Sequence, residues 1–141
     1  MKYLILIAVL SVSAISNSQE LEKYKWSNRI LLVVSKTETF NKAELQIKNL
    51  LLKPKELSER KLLIYRIHPN IYRIENSNDS DWIINSKLYK TYNAKDDEFK
   101  IVLIGLDGGI KLSQNDVLST EALFSKIDSM PMRASELKNK Q

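Results

Sequence analysis

The chain has 141 residues, 43% of them hydrophobic, with three glycines, three prolines and no cysteine; 22 lysines and arginines stand against 17 acids, for a formal net charge of +5. This composition is that of a globular chain with enough apolar residues for one core, and disorder is not its default. The absence of cysteine excludes a disulfide framework, a thiolate nucleophile, a thiolate metal ligand and lipidation of a cysteine at a cleavage site.

Met1-Lys2 precede an apolar run, Tyr3 to Leu10, followed by Ser11-Val12-Ser13-Ala14-Ile15. A basic start and an apolar stretch too short to span a bilayer mark a cleavable export signal over residues 1–18. Ser16 and Ser18 sit at −3 and −1 of a cut before Gln19, and Ala14 with Ser16 offers an alternative pair. The competing readings are a buried N-terminal element and an uncleaved anchor. Export is the expectation, to the periplasm or the extracellular space, leaving one domain over residues 19–141 with no stable membrane span.

The remaining charge is interleaved, as in Glu59-Arg60-Lys61 and Lys95-Asp96-Asp97-Glu98. No basic–aromatic motif stands out, so nucleic acid is not an expected partner. A solvated surface, or one facing an anionic envelope or matrix component, accounts for the charge.

In chain order, Arg29–Ser35 is a continuous apolar and β-branched run, the pattern of a strand buried on both faces. A threonine of Lys36-Thr37-Glu38-Thr39 is placed to cap a helix whose stripe is Phe40, Ala43, Ile47, Leu50 and Leu51. Pro54 ends that helix or begins a short turn through Leu57. Leu62–Ile67 is a second strand, His68-Pro69-Asn70 a turn, and Ile71–Glu75 a short returning strand or an extended excursion. Asn76 to Ser80 is a polar loop containing the sequon Asn78-Asp79-Ser80, which matters only in a host that secretes through an endoplasmic reticulum.

Ser80 or Asp81 should cap a helix reaching Tyr92, with Ile84, Leu88 and Tyr92 stacked and Asn93 ending it. Phe99–Gly105 is the third strong strand. Asp107-Gly108-Gly109 turns it into an antiparallel return over Ile110 to Leu112. The last helix starts at the N-cap Ser119, carries a Leu118–Leu123 staple and the stripe Leu123, Ile127, Met130, and is stopped by Pro131. The tail from Glu136 should fray. This order is that of an α/β thioredoxin-like sandwich, a mixed sheet with helices on both faces. The expected arrangement puts Arg29–Ser35 at or near the centre, parallel to both Leu62–Ile67 and Phe99–Gly105.

Four segments resemble a domain family of unknown function: Tyr24-Lys25-Trp26-Ser27-Asn28-Arg29-Ile30-Leu31, Glu59-Arg60-Lys61-Leu62, Val102 to Leu112, and Phe124 to Arg133 with its motif Ile127-Asp128-Ser129-Met130-Pro131-Met132-Arg133. The family occurs in exported bacterial proteins and, as a related domain, in vertebrate matrix proteins such as equarin and the sushi-repeat proteins. The resemblance implies a thioredoxin-like fold related to peroxiredoxins. Leu106 departs from the lysine that members usually carry before the Asp-Gly.

In thiol enzymes of this fold the nucleophilic cysteine sits where the first strand turns into the first helix. Here that turn is Ser35-Lys36-Thr37-Glu38-Thr39, so thiol redox chemistry is excluded, and the threonines have no evident base. The single histidine, His68, reads as an ordinary turn or surface residue, and no cluster suggests a metal or cofactor site. Trp26 is expected to pack the N-terminal arm, and Arg29 to pair with Glu59 or another acid.

The Asp107-Gly108-Gly109 amides would cradle an anion or merely close a hairpin. Arg133 complements a helix end and is placed to pair with Asp128; Met130 and Met132 suit a core edge or a recognition surface. The candidate recognition surface is Asp107, Lys111, Asp128, Met130, Pro131, Met132, Arg133 and Glu136, on a non-catalytic domain. The alternative is an enzyme of non-thiol chemistry using Asp107, Asp128, Arg133 and Glu136, which requires those groups to converge in a concave site.

Intact mass analysis of protein from the native host should find a chain beginning near Gln19; an intact Met1 on most molecules overturns the export expectation.

Overall fold

The apolar run at residues 29–35 becomes β1 (Arg29–Ser35), and all seven of its residues are buried. In the computed structural model, which describes residues 19–38 and 41–140, β1 is an inner strand of a six-stranded sheet of order β4-β3-β2-β1-β5-β6. The other strands are β2 (Leu62–Ile67), β3 (Ile71–Ile74), β4 (Ile83–Ile84), β5 (Phe99–Ile104) and β6 (Ile110–Gln114). The helices are α1 (Gln19–Glu22), α2 (Asn41–Leu51), α3 (Pro54–Glu59), α4 (Lys87–Tyr92), α5 (Thr120–Asp128) and α6 (Pro131–Lys138). The export segment and the Thr39 and Phe40 positions lie outside the described residues.

Successive side chains of a strand point to opposite faces, so β1 feeds two cores. Leu31 and Val33 join Ile64, Ile101 and Leu103 beneath α2, α3 and α5, which contribute Ala43, Ile47, Leu50, Leu57, Leu123 and Ile127. On the opposite face Ile30, Leu32 and Val34 join Tyr65, Ile67, Val102 and Ile104 beneath Leu21 of α1 and Leu88 and Tyr89 of α4. The fold is therefore a mixed sheet with helices on both faces. Among the described residues no helix is long and apolar enough to cross a membrane.

β1 and β2 are parallel, as expected, with Arg29 opposite Leu62. β5 is antiparallel to β1, which corrects the expected parallel pairing: Ser35 faces Phe99 and Ile30 faces Ile104. The cause lies in the preceding segment. The expected helix from Ser80 or Asp81 does not form, because Ile83 and Ile84 pair with Tyr72 and Ile71 as β4. Ile84 is 89% exposed and stacks with nothing in α4. The helix that remains has six residues, about 9 Å of travel, too short to return the chain along the full length of β1. The chain therefore re-enters the sheet beside Ser35 and runs back.

Other departures are local. On α2 the buried stripe is Ala43, Gln46, Ile47 and Leu50, while Leu51 turns outward. Pro54 opens the short helix α3, and Pro131 ends nothing beyond α5: it is the first residue of α6, which continues through Lys138 in place of a fraying tail. Proline suits that position because the first helical N–H has no intrahelical partner. Trp26 is 62% exposed; the N-terminal arm is held instead by its backbone N–H, which donates to the Leu106 carbonyl at 2.6 Å.

Gln46 is fully buried and clamps the segment leading into α5, donating to the Leu118 carbonyl at 3.0 Å and accepting from the Leu118 N–H at 2.8 Å. Ser119 then caps α5 by accepting from the Ala122 N–H at 3.1 Å. Gln46→Leu strands both Leu118 groups, and urea unfolding should show a loss of about 2 kcal/mol or more; Leu45→Gln, on the exposed side of the same helix, should stay within about 0.5 kcal/mol.

Candidate functional site

Arg29 opens β1 and is 1% exposed. A strand covered on both faces and flanked on both edges gives its first side chain no route to water, so the guanidinium must find its partners inside the protein. Its Nη1 donates to the Arg60 carbonyl at 2.9 Å and reaches both carboxylate oxygens of Glu136 at 3.3 Å. The pairing expected with Glu59 or another acid is thus made with Glu136 of α6.

Around this contact the end of α3 and the α5–α6 junction are tied together by charge. Arg60 lies over the Phe124 ring, 4.2 Å from its centroid, and grips Asp128 with two parallel bonds, Nε at 3.1 Å and Nη2 at 2.8 Å. Arg133, 2% exposed, donates from Nε to Asp128 at 3.1 Å and from Nη1 to the Glu59 carbonyl at 3.0 Å and to Glu136 at 3.2 Å. Lys61 Nζ stands 3.9 Å from Glu136. Two carboxylates thus serve four cations. Burial opposes ionisation of both carboxyls, but the bonds from Arg60 and Arg133 to Asp128, and from Arg29 and Arg133 to Glu136, hold both below the usual carboxylate range.

Beside this network lies a cleft of about 470 Å³. One wall is the β5–β6 hairpin, with Gly105, Leu106, Asp107 and Lys111; the other is the α5–α6 junction, with Lys126, Ser129, Met130, Pro131 and Met132; Arg29 also lines it. Of the residues picked from the sequence, Asp107, Lys111, Met130, Pro131 and Met132 meet here. Asp128, Arg133 and Glu136 do not line the cleft; they form the network behind it. Arg29 and Lys126 were not placed in a site from the sequence. The signal for Arg29 was available: a lone charge heading a strand apolar on both faces has to be buried.

The hairpin shapes one side. Gly108 adopts φ +82°, and its N–H donates to the Gly105 carbonyl at 3.0 Å. The Gly105 N–H donates to the Gly109 carbonyl at 2.9 Å, and the Gly109 N–H to the Asp107 carboxylate, also at 2.9 Å. These amides are spent inside the turn, which closes the hairpin and leaves no anion cradle there. A Cβ on Gly105 would come within 2.6 Å of the Lys111 side chain, so glycine lets that lysine lie across the turn. Lys111 Nζ meets Asp107 at 2.9 Å, and this bond, with that from Gly109, lowers the Asp107 pKa.

Two donors of the network remain open. Arg29 Nε and Nη2 are buried and have no hydrogen-bond partner among the described residues. An unmet buried donor costs about 1–3 kcal/mol, and more on a charged group. Nε and Nη2 share one edge of the guanidinium, the same fork with which Arg60 holds Asp128.

The opposite end of β1, where a thiol enzyme of this fold keeps its nucleophile, is closed. Ser35 is fully buried; its hydroxyl donates to the Thr37 carbonyl at 3.0 Å and lies 3.1 Å from His68 Nδ1. His68 is 1% exposed, which corrects its reading as a turn or surface residue. It continues the alternation of β2, and its ring packs 5.3 Å from Trp82. Burial holds the imidazole below its ordinary pKa and therefore neutral. The nearby cations are matched: Arg66 is bonded to Glu44 and Glu75, and Arg73 to Glu75. Among the described residues no group of three or more His, Asp or Glu could hold a metal ion.

These shifts set a pH dependence. The His68 pKa is depressed from 6.5, so its contribution to stability is present above about pH 6.5 and is lost as pH falls toward the folded value. Asp128 and Glu136 are depressed from 3.8 and 4.5, so theirs is complete above about pH 4.5 and is lost as pH falls through the lowered values. The urea midpoint should therefore fall in two stages on acidification. His68→Gln should remove the upper stage and Asp128→Asn should make the lower one shallower.

The crystal structure of the reduced 2-Cys peroxiredoxin of Plasmodium vivax is similar in fold, with a TM-score of 0.54 at 14% sequence identity over 86% of this chain and 85% of that one. No curated protein matches the chain in sequence. Residues 20–136, from α1 through Glu136 and so including the cleft and the network behind it, match the domain of unknown function DUF4174, and the chain belongs to that family.

Proposed function

We propose that this protein is a non-catalytic binding module, exported to the periplasm or cell exterior, that uses the cleft between the β5–β6 hairpin and the α5–α6 junction to hold an envelope or matrix component. The observation that carries this reading is the convergence of Met130, Pro131, Met132, Asp107 and Lys111 with buried Arg29 on one concave surface. Apolar walls with a few placed charges are the make-up of a ligand site. The cellular setting rests on the signal-like residues 1–18 and on the resemblance to exported and matrix proteins.

The enzyme alternative is weakened by the state of its groups. Asp107, Asp128 and Glu136 are all held below the usual carboxylate range by their cationic partners. A general acid at neutral pH needs the opposite shift. Arg133 is buried, with its donors directed at Asp128, Glu136 and the Glu59 carbonyl.

The test is retention of native envelope components on immobilised protein, comparing wild type with Met132→Asp and Lys111→Glu. Components retained by wild type should be lost from both variants, whose circular dichroism should match wild type. Identical retention by all three proteins overturns the assignment of the cleft.

A further inference from the structure

We infer that the cleft takes a small organic oxyanion, a carboxylate or a phosphate monoester, clamped by two parallel hydrogen bonds on the Nε–Nη2 edge of Arg29 with its apolar body against Met130 to Met132. The inference rests on the reading of this cleft as the recognition surface and names the chemistry that fits it.

Three observations converge. Arg29 is 1% exposed, lines the cleft, and keeps two adjacent N–H donors without a partner among the described residues. A guanidinium edge of this kind matches the two oxygens of a carboxylate or phosphate, and Arg60 makes that contact with Asp128 in the same network. Second, charge at this end of the sheet is short of anions. Glu136 is shared by Arg29, Arg133 and Lys61, and Asp128 by Arg60 and Arg133. In the cleft itself Asp107 is taken by Lys111, Arg29 has only its share of Glu136 through Nη1, and Lys126 has no ion-pair partner among the described residues. At the other end of β1, Arg66 and Arg73 have Glu44 and Glu75, so the deficit is local. Third, α6 begins on the cleft rim with Met130 as its N-cap, a residue that offers no side-chain acceptor. The first-turn amides and the positive end of that helix favour an anion in the same place.

The walls select among anions. Leu106, Met130, Pro131 and Met132 give an ion with an organic body apolar surface to cover, which a bare inorganic ion leaves wet. A neutral analogue of the same shape lacks the charge and one of the two acceptors that the fork needs.

The test is nuclear magnetic resonance titration of the purified protein with benzoate, phenyl phosphate, inorganic phosphate and benzamide, following the Arg29 Nε–H and the methyl groups of Met130 and Met132. Benzoate or phenyl phosphate at millimolar concentration should move all three signals, and whichever binds tighter identifies the head group. Inorganic phosphate should move Arg29 more weakly, and benzamide should leave it unmoved. Arg29→Lys, which keeps the charge but removes the fork, should weaken binding by about tenfold or more. Since Arg29 also supports the fold, Lys126→Gln at an exposed position provides a second variant, with a loss of a few-fold.

No movement of the Arg29 signal with either organic anion, or equal binding of benzamide and benzoate, overturns the inference. Inorganic phosphate binding as tightly as phenyl phosphate overturns the role of the apolar wall. Failure of this inference is distinguishable from failure of the broader reading. Oxyanion binding with unchanged envelope retention in the cleft variants defeats only the latter, whereas cleft-dependent retention without oxyanion binding defeats only the former.

Discussion

A positive charge at the head of a strand that has no access to water organises much of this molecule. β1 is flanked by β2 and β5 and covered by helices on both faces, so Arg29 has to be met by protein groups or by something that enters from the cleft. Meeting part of that demand docks α6: Glu136, 107 positions along the chain from Arg29, is drawn to its Nη1. Arg133 and Arg60 then fasten the α5–α6 junction to the end of α3 through Asp128 and the Glu59 carbonyl. Removing one partner from such a buried network leaves an unmet charge, which costs more than the pair itself contributes. The C-terminal segment is polar in composition but is held in place by this requirement.

The two ends of β1 have been put to different uses. At the Ser35 end the polar groups are largely satisfied among themselves: serine to backbone, histidine to serine, Arg66 and Arg73 to two glutamates. That end is thus filled mainly by neutral and paired groups, with His68 Nε2 the buried atom there that has no hydrogen-bond partner among the described residues. At the Arg29 end the electrostatics stay open on the cation side, and the opening coincides with Lys126, Met130, Pro131 and Met132 at the α5–α6 junction. The concave, positively biased surface thus stands at the Arg29 end of the strand.

Much of the fold was legible in the residues. Continuous β-branched runs identified β1, β2 and β5 to within a residue, Asp107-Gly108-Gly109 identified the hairpin, and Ser119 identified the start of α5. The hairpin and the α5–α6 segment were also named together as a candidate recognition surface, on the ground that function tends to sit on such loops. These features are local, and periodicity and turn chemistry report local structure well.

What the sequence could not determine depends on distant partners. The direction of β5 hung on whether Ile83 and Ile84 would extend a helix or pair with Ile71 and Tyr72, a competition decided by an edge that exists only after β2 and β3 have formed. His68 was read as a turn residue because its burial depends on Ser35 and Trp82 arriving from other parts of the chain. Arg29 was legible as a charge needing an acid at the head of a buried strand, but which acid it meets and which of its donors stay unmet required α6 to be in place. By itself the sequence determined the strand character of β1, β2 and β5, the start of α5, and that the chain carries no thiol. Only the tertiary structure decided which charges are buried and which of them lack a partner, because the energy of a charge is set by everything that displaces water around it.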